Sequence, residues 1–188
     1  MTRWRLKLLF LAGALWLMAG DIGWPLEFVA ERVTRVDGQS RRSNVYYRDG
    51  LSRVEHNEGG LVDVTIARKD KGLIWLLLAR TRQFQTIAYQ DNRGPMVTRQ
   101  LEGEIQREEI GTETVNGHRT TVYRVTVETS AGQAKTFYQW FATDLGLPLR
   151  LASRDNDWMT EYTNAKLTRI PDFMFNLPRH YQPAQDTR

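Results

Sequence analysis

The dipeptide Asn116-Gly117 is the feature that most narrows what this chain can fold into. It separates residues 109–115 (EIGTETV) from His118–Glu128 (HRTTVYRVTVE), two β-rich runs. A two-residue link of this kind needs positive φ at both positions, and its twist matches that of a tight antiparallel hairpin. Asp49-Gly50 repeats the signal between residues 43–48 (SNVYYR) and Leu51–His56 (LSRVEH). Residues 61–68 then alternate, with Val62, Val64 and Ile66 to one side and Asp63 and Thr65 to the other, as a half-buried strand does. Further runs at 73–79, 83–89, 134–143, 147–153 and 158–167 follow turn signals and bring the expected count to about ten strands.

A meander of that length does not stay flat; it curls strongly or closes. Residues 73–78 (LIWLLL) are apolar on both sides, whereas an antiparallel strand with one wet face alternates. Both faces there need a cover: a helix inside a curled sheet, a second sheet, or a ligand. In residues 96–106 (MVTRQLEGEIQ), Met96, Val97, Leu101 and Ile105 recur at near-helical spacing and suggest a short helix, with Gly103 against it.

The first twenty residues, MTRWRLKLLFLAGALWLMAG, place Arg3, Arg5 and Lys7 before an apolar run at 8–18 and the small pair Ala19-Gly20. This is the order of a secretory signal peptide, and the run is shorter than the roughly 20 residues a spanning helix needs. The expectation is a cleaved signal over 1–20, with a retained N-terminal anchor as the alternative, then a single domain over 21–188. The chain carries 26 Lys+Arg against 22 Asp+Glu; without the three leader cations the balance is nearly even. No basic footprint for nucleic acid remains. With no cysteine, a disulfide scaffold, a thiolate metal site, a cysteine nucleophile and an acylated N-terminal cysteine are all excluded.

Residues that carry chemistry are sparse. His56, His118 and His180 have no metal-ligand spacing, no Gly-x-Ser-x-Gly elbow or phosphate loop occurs, and the paired acids fall at turns. The reading is therefore of a protein with no catalytic residues, no metal and no cofactor. The aromatics are the better clue. Strand aromatics usually fill cores, but some of Trp75, Leu77, Phe84, Phe137 and Trp140 are candidates to line a hydrophobic ligand cavity.

Two stretches carry a family resemblance. Residues 61–89, an alternating strand followed by KDKG and LIWLLLARTRQFQTIAY, resemble a hairpin of the LolA/LolB-like superfamily, the periplasmic lipoprotein-carrier fold. VNGHRTTVYRVTV, FYQWFATDLGLPLRL, WMTEYTNAKL and FMFNLPRHY resemble the end of uncharacterised DUF4412-type exported proteins. The resemblance covers residues 29–181. It implies a mainly β fold: a strongly curved antiparallel sheet forming an incomplete barrel, with one or two short helices as a lid. It also implies an apolar hollow for a lipid, an acyl chain or an acylated protein. The expected function is noncatalytic binding of a hydrophobic group in the periplasm. The alternative is a solid-cored module that binds another envelope protein through a sheet edge or its tail.

Overall fold

The computed structural model describes residues 26–184; the expected signal segment lies outside them. Twelve strands follow in chain order: β1 (Glu27–Val36), β2 (Gln39–Arg48), β3 (Leu51–His56), β4 (Val64–Arg68), β5 (Leu73–Leu78), β6 (Gln83–Ala88), β7 (Glu104–Val115), β8 (His118–Glu128), β9 (Ala134–Ala142), β10 (Leu147–Ser153), β11 (Trp158–Leu167) and β12 (Gln182–Pro183). They form one sheet in the order β12-β6-β5-β4-β3-β2-β1-β11-β10-β9-β8-β7. Every pairing is antiparallel except the short parallel one between β12 and β6. The sheet is not closed, since β7 and β12 stand at its two ends. This is the expected mainly β architecture: one long antiparallel sheet, curled but left open as an incomplete barrel.

The turn chemistry explains the meander. Asp37-Gly38, Asp49-Gly50 and Asn116-Gly117 all hold both residues at positive φ, the geometry a two-residue hairpin demands. The first of these turns extends the expected strand at 43–48 back to Gln39 and joins it to β1, which lies outside the ten expected strands: β1 pairs with β2 in register from Glu27↔Arg48 to Val36↔Gln39. β1 also pairs with β11, joining the two halves of the chain into one sheet.

The curl is severe. The turn after β7 is separated from β11 by β8, β9 and β10, which would span on the order of 14 Å if laid flat. Yet the Asn116 side-chain amide donates to the Tyr162 carbonyl at 2.9 Å and to Glu161 at 3.0 Å.

Strand alternation and register define two faces. An inner face carries Phe28, Ala30, Val45, Val54 and Tyr162, buried together in the main core. It continues through Gln139 and Tyr123 on β9 and β8. The outer face carries Arg48, Arg68, Ile66, Trp75 and Leu77. β5 is covered on both, as its composition required: Ile74 on one face and Leu77 on the other are each 1% exposed.

The expected helix over 96–106 is absent. Residues 96–103 are irregular and β7 begins at Glu104. Gly103 shows why. It sits at φ +71°, and a Cβ there would lie 2.6 Å from the Glu128 carbonyl oxygen, while the Glu128 N–H donates to the Gly103 carbonyl at 2.8 Å. Chain held this way belongs to the start of a ladder. Helical content among the described residues is limited to three short 3₁₀ turns, Lys69–Lys71, Asp91–Arg93 and Asp172–Phe175. None of these helices is long and apolar enough to cross a membrane.

Candidate functional site

Two irregular segments strap the sheet, one on each face. The inner strap runs from the end of β6 through Asp91–Arg93 and residues 94–103 into β7. Met96 and Val97 pack against the main core. Leu101 packs on a second cluster of Tyr123, Val125 and Val127, with Phe137 and Phe141 beside it.

The strap forms no ladder, so its backbone groups turn to side chains of the sheet. The Met96 N–H donates to the Tyr162 hydroxyl at 2.8 Å. Gln139, fully buried, donates to the Thr98 carbonyl at 3.4 Å and accepts from Arg107 at 2.9 Å. Arg107 also donates to the Arg99 carbonyl at 2.5 Å and pairs with Glu104 at 2.7 Å. The guanidiniums of Arg99 and Arg107 both stack on the Tyr123 ring, 5.2 and 4.8 Å from its centroid. Arg99 also donates to the Tyr123 hydroxyl at 2.7 Å.

Electrostatics follow from this packing. Burial pushes the Tyr162 phenol up to about 12. The hydrogen bond from Arg107 holds the Glu104 carboxyl below its usual range. A neutral phenol and a permanent ion pair thus anchor the two ends of the strap.

The outer strap is the tail beyond β11. Arg48 donates to the Ile170 carbonyl at 3.2 Å, pairs with Asp172 at 2.7 Å and lies 5.1 Å over the Phe175 ring. Arg68 donates to the Phe175 carbonyl at 3.2 Å and to Asn176 at 3.1 Å. Phe175 is buried, and the Asp172–Phe175 turn lies against β3 and β4. The tail then reaches the far edge and pairs with β6.

The five candidate lining residues are not brought to one place. Trp75, Leu77 and Phe84 share the outer face, with Leu77 and Phe84 directly paired. Phe137 lies on the inner face beside Leu101. Trp140, one position out of phase with Gln139, is parted from Phe137 and packs instead at the margin of the main core; its Nε1–H donates to Glu113 at 2.6 Å and Arg150 stacks on its ring. Sequence reasoning missed Gln139, Arg107 and Tyr123, which position the strap together with Tyr162. The run of odd-numbered β8 and β9 residues opposite Leu101 was the available signal.

Surface clefts among the described residues include one lined by Gln106, Glu108, Arg124, Thr126, Tyr138 and Arg154. Another, of about 510 Å³, is lined by Glu109, Thr112, His118, Thr121 and Asp144 among others. Within it His118 contacts Asp144 at 2.7 Å. Among the described residues no cluster of three or more His, Asp or Glu is arranged to hold a metal ion.

No protein-family model and no curated protein matches the chain. Solved structures do. An uncharacterized conserved protein of Thermus thermophilus aligns at TM-score 0.58 and 15% identity, over 84% of this chain and 89% of that one. A chain of the Pseudomonas aeruginosa MucA/MucB complex aligns at TM-score 0.55 and 16% identity, over 84% of this chain. This chain spans 58% of that one. A LolA superfamily protein of Nitrosomonas europaea aligns more loosely, at TM-score 0.35 and 10% identity, over 81% of this chain and 90% of that one. At these identities the first two likenesses are of fold alone.

Proposed function

We propose that this is a noncatalytic, exported envelope protein that binds a hydrophobic group, a lipid or an acyl chain, against the inner face of its sheet. One observation carries the reading. The apolar inner face is covered by a short irregular strap whose Met96, Val97 and Leu101 are only partly buried. A strap that contributes three apolar side chains and no ladder is exchanged at modest cost, because its hydrogen bonds go to side chains that remain satisfied by water or by a ligand's ester oxygens. Phe137, Tyr123 and Phe141 would line the opened site. The leader at 1–20 and the carrier-like fold support an envelope location and a hydrophobic ligand.

The test is direct. Protein isolated from cells is analysed by native mass spectrometry for co-purifying lipid and titrated with a fluorescent fatty acid. Bound lipid, or saturable probe binding that rises when Arg107 is replaced by Gln, supports the reading. Absence of both sinks it.

A second reading has its own observation. The strap packs its Met96 and Val97 on the main core, which favours a filled inner face. The MucA/MucB likeness is to a fold that was solved with a protein partner. A binding module for an envelope protein would show no lipid and would co-purify with one defined partner.

A further inference from the structure

The arginines of the sheet follow one rule with one exception. Arg32, Arg48, Arg53, Arg68, Arg107 and Arg150 are half-buried, and the other arginines of the described residues are exposed. Five of the six meet a carboxylate: Arg48 meets Asp172, Arg53 meets Glu55, Arg68 meets Asp70, Arg107 meets Glu104 and Arg150 meets Glu161. Arg32 pairs with no acid among the described residues. Its Nε donates to the Ser43 hydroxyl at 3.1 Å, and its two terminal amino groups have no protein acceptor among the described residues. A cation taken partly out of water is costly unless a counter-charge or hydrogen bonds offset the loss.

Register fixes what surrounds Arg32. It lies opposite Tyr162 on one side and Ser43 on the other, and Ser43 in turn lies opposite His56. Tyr162, Arg32, Ser43 and His56 thus form one row across β11, β1, β2 and β3 on the inner face. Two residues along the same strands, about 7 Å away, stand Ala30, Val45 and Val54 of the main core. The polar row is the border of the apolar face, and the strap reaches that border where Met96 bonds to Tyr162.

The nearby acids do not neutralise this row. Glu31, Glu55 and Glu161 belong to the opposite face by alternation and pair with Arg42, Arg53 and Arg150. Glu58 accepts the Arg42 N–H at 2.9 Å. Asp63 follows His56 across the sheet, and its carboxylate accepts the Ala79 N–H at 2.6 Å. His56 feels both charges: it is held below its ordinary value first by burial and then by Arg32, whose effect there exceeds the opposing one of Asp63.

We propose that Arg32 receives the anionic head of an amphiphile, a carboxylate or a phosphate monoester, whose hydrocarbon chain lies along Ala30, Val45 and Phe28 in place of the strap. The proposal rests on the reading that the inner face takes a hydrophobic group, and it narrows that group to one with an acidic end. The guanidinium offers its planar fork to two oxygens of the head. Ser43 holds the fork in position, and the apolar residues beyond it bury the chain.

The full chain is titrated with dodecanoate, dodecyl phosphate and dodecyltrimethylammonium, each below its micelle concentration, by displacement of the neutral probe 1-aminoanthracene. Both anions should bind about tenfold more tightly than the cation. Arg32→Gln should remove most of that difference, and Arg32→Lys should restore part of it. The comparison on the unsubstituted chain stands even where a variant fails to fold. Anions and cation binding equally overturns the inference and leaves the hydrophobic-group reading intact. So does a preference that survives Arg32→Gln at an unchanged melting temperature. The phosphorus resonance of inorganic phosphate should not broaden with the protein; broadening that Arg32→Gln abolishes makes the row a free-anion site and overturns the amphiphile. No probe uptake and no binding of any of the three ligands sinks the underlying reading and the inference with it.

Discussion

The Tyr162 hydroxyl accepts the Met96 backbone N–H at 2.8 Å, tying the inner strap to a fully buried ring of the sheet. Replacing Tyr162 by Phe keeps the ring and strands the donor. The expected cost is about 1–2 kcal/mol of stability, the usual penalty for an unmatched partly buried N–H. Denaturant unfolding gives the loss, and amide exchange should quicken at residues 94–98 before the rest of the sheet. An unchanged exchange rate there would remove Tyr162 as the strap's anchor.

The same phenol sets an alkaline limit. Its folded value is raised to about 12 from 10.0 by burial. The unfolded chain therefore loses this proton first, and binds fewer protons than the fold between those two values. Stability is unaffected below pH 10 and falls by on the order of 2 kcal/mol as pH climbs toward 12. Tyr162→Phe should flatten most of that limb in a pH series of unfolding midpoints. Tyr46 and Tyr89, also raised by burial, leave a smaller remainder.

Glu104 and Arg107 act at the acid side. The carboxyl is held low by the Arg107 hydrogen bond, so its contribution is complete above the usual carboxylate value of 4.5 and is lost as pH falls through the lowered one. Arg107→Gln removes the ion pair and the bond to the Arg99 carbonyl together. It should cost about 2 kcal/mol at neutral pH and erase much of the acid-side dependence. Unfolding curves at neutral and acid pH for both proteins check this.

Gly103→Ala tests the turn that replaces the expected helix. A left-handed φ and a carbonyl 2.6 Å from the new Cβ both oppose it. A loss of roughly 2 kcal/mol or more is expected from the conformational strain and the clash. A neutral outcome in thermal melting would mean that the Gly103–Glu128 contact yields easily.

Phe175→Ala opens the outer strap. Removing a buried ring from beneath Arg48 should cost about 3 kcal/mol. The observable beyond stability is proteolysis: the tail after residue 168 should become cleavable under native conditions while the sheet stays intact.

The strands were legible because their turns are. Asn116-Gly117 and Asp49-Gly50 each marked a hairpin, and LIWLLL announced a strand covered on both faces. β1 escaped because Phe28, Val29 and Ala30 break the alternation and charges run through the rest, although Asp37-Gly38 carried the same turn signal. The straps were not legible. Met96, Val97 and Leu101 mimic helical spacing, and what prevents a helix is a carbonyl from Glu128, distant in sequence. The candidate aromatics were split for a related reason: alternation parts Phe137 from Trp140, but which face is inner depends on where two irregular segments choose to cross.

The seam between β1 and β11 has a consequence for how the molecule is made. Thr34 and Thr160, which touch across it, are 126 positions apart, while the other antiparallel pairings link strands consecutive in the chain. Two local meanders can therefore assemble early, and their union waits on one distant closure with a large entropic barrier. Among the described residues β1 is the first strand to leave the ribosome, and its second partner is nearly the last. Throughout synthesis one edge of β1 stands open, a sticky seam that a chaperone, or a second nascent copy, meets before β11 does.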